Sequence, residues 1–404
     1  MQPKEHPQVK AWLVQPVISP YRIPLFQEIA NTPGIDLTVI VQAETASGHP
    51  WKLDLDRMPF RTLLVPGMRW RKNFETDVHI SPALVRLFVK HRPDVVICSG
   101  FTVSTMLLFA PMRLYRTPYI IWNEGTCLTE QNASVVKKVV RRLLARYASS
   151  FLVAGSLSRQ YVEELFPESG NGMFRLAYNC VDNAHFMRDM SKEADQIRLR
   201  ELKRRFAPRN LLHVGKLGER KGIIQLLEAY RRLVHDCAMD DLGLILLGEG
   251  PLREYIGRFA EQHKLDKIHV EGYVSQDHIP LYYAAADVFV LLSISDPNPL
   301  VLFEALAAGL PIVCSSRAGN AVDFIVDGSN GFQVDPLDSE AVPEKIRLAL
   351  NTINRDVSRR VSRELVTKAD YRDVANVFVD ALRSAYRAIN QRPMHGNSGY
   401  ESTI

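Results

Sequence analysis

The sequence predicts an α/β chain built as two doubly wound domains in tandem. Short β-branched runs alternate with helix-period segments, the pattern of a parallel sheet with crossover helices. That alternation lapses once, over 183–209, and then restarts. The 404 residues are also more than one core of ordinary size accommodates and enough for two. Sheets of this kind bind ligands beyond the carboxyl ends of their strands, so the two domains are expected to face each other across a cleft.

In the first domain, 1–185, strands are expected over 9–14, 36–42, 94–98, 118–122 and 151–154, with helices over 81–91 and 135–148. From 183 to 209 apolar density falls and charge rises, through Arg188, Asp189, Lys192, Glu193 and the Lys203-Arg204-Arg205 cluster, which places a linker over 186–209. The second domain, 210–360, repeats the pattern with strands over 211–215, 242–247, 268–272, 287–292 and 311–315. Its helices fall over 223–235, 252–263 and 299–308. Helices over 361–390 are expected to return to the first domain, the last being amphipathic through Val374, Val377, Phe378, Leu382 and Tyr386. The Gly-, Ser- and Asn-containing tail 391–404 is expected to be disordered.

An apolar share of 46% against 24% charged excludes disordered and collagen-like classes. Five widely spaced cysteines without a Cys-x-x-Cys pair argue against a disulfide framework or a thiolate zinc site and fit a reducing cytoplasm. The first residues lack the layout of a signal peptide, and no window approaches the ~18 apolar residues of a membrane span, so the chain is expected to be soluble or to rest on a surface. A net charge of +5 over this length is modest. Aromatic residues are not interleaved with a basic stripe, which leaves nucleic-acid binding without support. No metal is expected, because the eleven histidines form no ligand spacing. Asp54-Leu55-Asp56 is a lone Asp-x-Asp outside any nucleotide-binding context and reads as surface charge.

Two constellations carry chemistry. Asp296-Pro297-Asn298-Pro299-Leu300-Val301-Leu302-Phe303-Glu304 follows an apolar strand and enters a helix, with Asn298 as N-cap, Pro299 at the first helical position, and Gly309 and Pro311 as stop signals. The free amides of that helix start suit a phosphate or a developing negative charge. Asp296 and Glu304 can both reach one hydroxyl-rich ligand; otherwise Asp296 is a turn residue and Glu304 a solvated helix position. In the second constellation, Leu211-Leu212-His213-Val214-Gly215-Lys216-Leu217-Gly218-Glu219-Arg220-Lys221-Gly222, two lysines bracket a glycine-bearing loop. They can meet one diphosphate where a metal-dependent enzyme would place Mg²⁺. This loop is not a P-loop, because Gly-Lys-Ser/Thr is missing.

Together these segments resemble the retaining glycosyltransferases of family 4, which have the GT-B fold. The stretch 216–222 is similar to their Gly-Arg-Leu...Lys-Gly loop, and 296–304 to their Glu-x7-Glu segment. Further matches are Gly248-Glu249-Gly250-Pro251-Leu252, Gly272-Tyr273-Val274, the segment 304–311, Asp327-Gly328-Ser329-Asn330-Gly331-Phe332, and Asn179-Cys180-Val181-Asp182 with Phe186. The motifs cover 174–338; over the first 150 residues only the architecture agrees.

The resemblance implies a hexosyltransferase that moves a sugar from a nucleotide-diphosphate donor to a glycan or lipid-linked carbohydrate, with retention and without a metal or a further cofactor. It implies donor contacts from Gly215, Lys216, Lys221, Asp296, Asn298, Leu300, Val301 and Glu304, with the lysines on the diphosphate, Glu304 on the ribose and Asp296 on the sugar hydroxyls. Lys216 replaces the usual arginine, Asp296 the first glutamate and Pro299 a glycine, while Asn320 and Asp323 stand where glycine and glutamate are usual.

Glu124 takes the place of a histidine that in many relatives faces the donor sugar. It can orient the acceptor, stabilise an oxocarbenium-like centre, or be a loop acid. Tyr21 and Arg22, after the first strand, are acceptor-side candidates, Arg22 for an acceptor phosphate. In the helix 135–146 the side bearing Val135, Val136, Val139, Val140, Leu143 and Leu144 is expected to be core. Its basic side, with Lys137, Lys138, Arg141, Arg142 and Arg146, is either solvated or a peripheral contact with anionic lipid on the cytoplasmic membrane face. The departures from pattern leave two rivals: a binding or regulatory protein that kept the donor site without turnover, and a GT-B sugar-nucleotide epimerase.

Overall fold

The computed structural model describes residues 8–45, 53–73, 76–188 and 190–390. Expectations for the first seven residues and for the tail 391–404 lie outside them. The first sheet is built from β1 (Val9–Gln15), β2 (Ile35–Val41), β3 (Arg61–Leu64), β6 (Val95–Ser99), β7 (Tyr119–Asn123), β8 (Ser150–Val153) and β9 (Phe174–Leu176). Its order is β3-β2-β1-β6-β7-β8-β9, parallel throughout. Between β3 and β6 the strands β4 (Met68–Asn73) and β5 (Thr76–Ile80) form a separate antiparallel pair. The second sheet holds β10 (Arg209–Val214), β11 (Leu242–Leu247), β12 (Ile268–Gly272), β13 (Val288–Leu291), β14 (Ile312–Ser315) and β15 (Gly331–Val334), ordered β12-β11-β10-β13-β14-β15 and again parallel. Strand order reverses between β1 and β6 and between β10 and β13, so each domain has a switch point where a ligand crevice opens.

Near-continuous apolar runs suit these strands because both faces are covered. In β1, Ala11 and Leu13 enter one core while Trp12 and Val14 enter another on the opposite face. In β13, Phe289 and Leu291 face one core and Val288 and Val290 the other.

Tyr371–Asn390 does return to the first domain. Val374, Phe378 and Leu382 join its core, and the Phe378 ring stands edge-on to Trp122 at 4.9 Å. Full burial of each such side chain contributes about 1.5–3 kcal/mol. The preceding helix, Arg355–Val366, instead packs on Leu300–Ala308 of the second domain, so the return begins later than residue 361.

The expected linker is also corrected. Asn183–Met187 and Glu193–Arg205 are helices of the second domain: Phe186 is buried beside Tyr283, Leu202 lies against the same core, and Arg205 pairs with Glu271 at 2.8 Å. A helix that contributes so few apolar side chains leaves only a charged composition in the sequence. The real crossing is the short segment 177–181, whose Ala177 and Cys180 enter the first core and Tyr178 and Val181 the second.

Candidate active site

On the second domain the site grows out of the carboxyl ends of β10 and β13. Gly222 adopts φ +71°, and a Cβ there would stand 1.9 Å from the Leu292 carbonyl oxygen, so only glycine lets the 219–222 turn lie against the end of β13. A Cβ on Gly248 would likewise meet the Gly215 carbonyl at 2.0 Å, which accounts for the Gly-Glu-Gly segment as a backbone-to-backbone contact between two loops. The tight turn carries Lys221 to Asp296, and the two form an ion pair with side chains 18% and 8% exposed. Lys216 is half-buried one residue beyond Gly215 on the same loop.

The helix after Asp296 starts at Leu300, one residue later than expected. Pro299, with ψ 116°, is its N-cap and supplies no side-chain cap; Asn298 is not the cap. Asn298 instead accepts a bond from Asn320 Nδ2 at 2.9 Å, and Asn320 also donates to the Pro299 carbonyl at 3.2 Å. An extended proline delays the helix, and this amide pair holds the loop. The N–H groups of Leu300 and Val301, in the first turn, have no intrahelical carbonyl to bond. Further along, Glu304 accepts the Tyr283 hydroxyl at 2.9 Å, and burial pushes its carboxyl up to about 7 despite that bond.

Sequence reasoning missed His213. It is fully buried in β10, with Nδ1 3.1 Å from the Val290 carbonyl, and burial, aided by the charge of Lys221, pushes it down to about 4, so the ring is neutral. Its available signal was an imidazole in an otherwise aliphatic strand.

On the first domain a cavity of about 560 Å³ opens at the carboxyl ends of β1, β6 and β7. Arg22 lies over the Trp122 ring at 4.4 Å, donates to Gln15 Oε1 at 2.6 Å and pairs with Glu124. Tyr21 lines the same wall. Arg22 is only 11% exposed and Glu124 31%, so neither is an idle surface charge. A second pair, Arg141 with Glu130 at 2.8 Å, borders the cavity as well. The sequence puts Arg141 on the basic side of its helix, solvated or against lipid. The structure buries Arg141 and exposes Val135, Val136, Val139 and Leu143, while Leu144 is buried as expected and the other four basic residues are exposed.

The two halves touch beside these sites. Gly155 precedes helix Ser156–Leu165 with no side chain to cap it, and Asp323 of the second domain takes that role, accepting Ser156 N–H at 2.8 Å and the Ser156 hydroxyl. Asn298 Nδ2 approaches the Ala154 carbonyl at 3.5 Å. Asp54, by contrast, accepts the Asp56 N–H within an exposed turn, in keeping with its reading as surface charge.

Residues 198–362 match the family described as Glycosyl transferases group 1. This stretch contains Lys216, Lys221, Asp296 and Glu304, and excludes Arg22 and Glu124. Among curated proteins, the chain is 28% identical over 183 residues to the uncharacterized glycosyltransferase MJ1607 of Methanocaldococcus jannaschii, covering 43% of this chain and 45% of that protein. It is 30% identical over 167 residues to the sulfoquinovosyl transferase SQD2 of Arabidopsis thaliana, covering 40% of this chain and 31% of that one. The chain thus spans less than half the length of these relatives. Among solved structures, Anabaena Alr3699/HepE in complex with UDP and glucose superposes with a TM-score of 0.70 at 16% identity, covering 93% of this chain and all of that one. The fold is GT-B.

Proposed function

We propose that this chain transfers a hexose-type sugar from a nucleotide-diphosphate donor to a hydroxyl of a carbohydrate acceptor, with retention at the anomeric carbon. The observation that carries this reading is the Lys221–Asp296 pair beside the start of helix Leu300–Ala308, at one switch point, with the Arg22–Glu124 cavity at the other. Charge building on the departing diphosphate is the step to be stabilised. Lys221, Lys216 and the Leu300 and Val301 amides supply that charge complement without a divalent cation. Asp296 holds the Lys221 ammonium in place before the donor arrives and then meets the sugar hydroxyls, with Asn298 supporting the loop. Glu304, once ionised, accepts from the ribose. A solved structure of similar fold holding UDP and glucose supports the donor class.

Glu124 and Arg22 orient the acceptor in the first-domain cavity, with Tyr21 beside them. The five unpaired cysteines support a reducing compartment such as the cytoplasm.

A thermal-shift screen of UDP-, GDP-, ADP- and TDP-sugars without added metal tests the donor site. One of them should raise the melting temperature by mass action, and Lys221→Ala should abolish the rise. Analysis of the product anomer tests retention. Pro299, which has no N–H to offer a phosphate, favours a second reading as a binding protein. Saturable donor binding with no sugar released would establish it, and conversion of the donor sugar without acceptor would mark an epimerase.

A further inference from the structure

The helix Val135–Tyr147, VVKKVVRRLLARY, turns an arginine inward and most of its apolar residues outward. Val135, Val136, Val139 and Leu143 are 77%, 73%, 58% and 46% exposed, and Tyr147 41%, while Arg141, Leu144 and Ala145 face inward. At about 100° per residue the exposed apolar side chains occupy an arc of about 120° on the side away from the buried ones. This arrangement is held by specific bonds: Arg141 pairs with Glu130 and donates to Tyr161, and the Tyr119 hydroxyl donates to the Leu144 carbonyl. Single exposed apolar residues are ordinary on a protein surface, but a contiguous ridge along one helix marks an interaction site.

Lys138, Arg142 and Arg146 run in a row from one edge into that ridge, Arg142 also donating through Nε to the Leu165 carbonyl at 2.9 Å, and the helix carries five basic residues and no acidic one. Arg113 lies over the Tyr147 ring at 4.5 Å and extends the positive border onto the neighbouring helix. We infer that this ridge docks on a bilayer containing anionic lipid, with the valines and Leu143 immersed at the acyl boundary and the basic row among the phosphates. Arg141, on the opposite side of the same helix, borders the first-domain cavity, so docking brings that cavity within about one helix diameter, ~10 Å, of the membrane interface. The acceptor is then a carbohydrate carried on a lipid. That last step rests on the transfer reading above; the docking itself does not.

Flotation with vesicles of phosphatidylcholine alone, and of phosphatidylcholine mixed with phosphatidylglycerol, tests the surface. The chain should float with the anionic vesicles and be released by high salt. Val139→Asp with Leu143→Asp should abolish flotation while keeping the melting temperature and the donor-induced shift. Lys138→Glu with Arg142→Glu should weaken anionic binding on the order of tenfold or more. Failure to float, flotation unchanged in the double aspartate variant, or a concentration-dependent dimer dissolved by that variant would each overturn the proposal, the last by showing that a second copy covers the ridge. An absent donor shift in a chain that still floats would sink the transfer reading and leave the docking standing.

Discussion

The two walls of the cleft are built by different means. On the second domain the candidate site is built from contiguous loops whose glycines allow backbones to touch, with Lys221 and the helix start delivered by local geometry. On the first domain the cavity is lined by side-chain pairs, Arg22 with Glu124 102 residues away and Arg141 with Glu130 across a helix start. Backbone-built sites constrain sequence motifs, because few residues fit them. Side-chain pairs constrain only complementarity, which many residue combinations satisfy. The family match accordingly covers the second wall and stops short of the first.

The contrast can be broken or sharpened by experiment. The largest expected effect concerns the first domain alone. Phe378→Ala removes a fully buried ring from its core and should cost about 3–5 kcal/mol in a calorimetric scan. The donor-induced shift should survive wherever the protein is folded; its loss would mean that the two walls are not separable. Next, Lys221→Ala should lower turnover on the order of 10²–10³-fold and, because it leaves the buried Asp296 carboxylate without its partner, should also lower the melting temperature without donor. Glu124→Gln should act on acceptor KM and leave the donor shift intact. Equal effects of both variants on donor binding would erase the division between the walls.

A pH series on Glu304 comes third. Its carboxyl ordinarily titrates near 4.5 and is held up to about 7 in the folded chain. Between those values the folded state keeps a proton that the unfolded state releases. The stability linked to Glu304 is therefore fully present below about 4.5 and is lost as pH rises to about 7, on the order of 1–3 kcal/mol. Glu304→Gln should be relatively more stable at pH above 7 than at low pH, measured as the difference in melting temperature. Donor affinity, if the ionised carboxylate receives the ribose, should rise through that range in the parent chain and stay flat in the variant. The smallest effect is expected for Asp323→Ala, which removes a helix cap worth about 0.5–2 kcal/mol and frees the contact between domains. Hydrogen exchange at the start of Ser156–Leu165 should quicken, and an unchanged rate would mean that the cap contributes nothing.

Most of the fold was legible because its signals are local. The runs 242–247 and 268–272 and the helix 223–235 coincide with β11, β12 and Ile223–His235, where apolar periodicity and flanking glycines act over a few residues. Strands β3 and β9, only 4 and 3 residues long, were too short to show a period. The strand-loop-helix settings of Lys221, Asp296 and Glu304 were legible for the same local reason. Asn298 was misjudged as a cap because a residue before proline in a helix-start pattern looks the same whether the chain turns helical at once or one residue later.

By itself, the sequence determined two parallel α/β layers, an amphipathic carboxyl-terminal helix and a basic, glycine-bearing loop, since these follow from periodicity and from backbone conformations that few residues allow. Only the tertiary structure decided that Lys221 meets Asp296 across 75 residues, that Asp323 caps a helix 167 residues away, and that the basic helix turns its valines outward. An amphipathic pattern says that two faces differ, but which one is buried depends on partners elsewhere. Here Glu130 and Tyr161 pair with a buried arginine, and most of the apolar face is left to the solvent side.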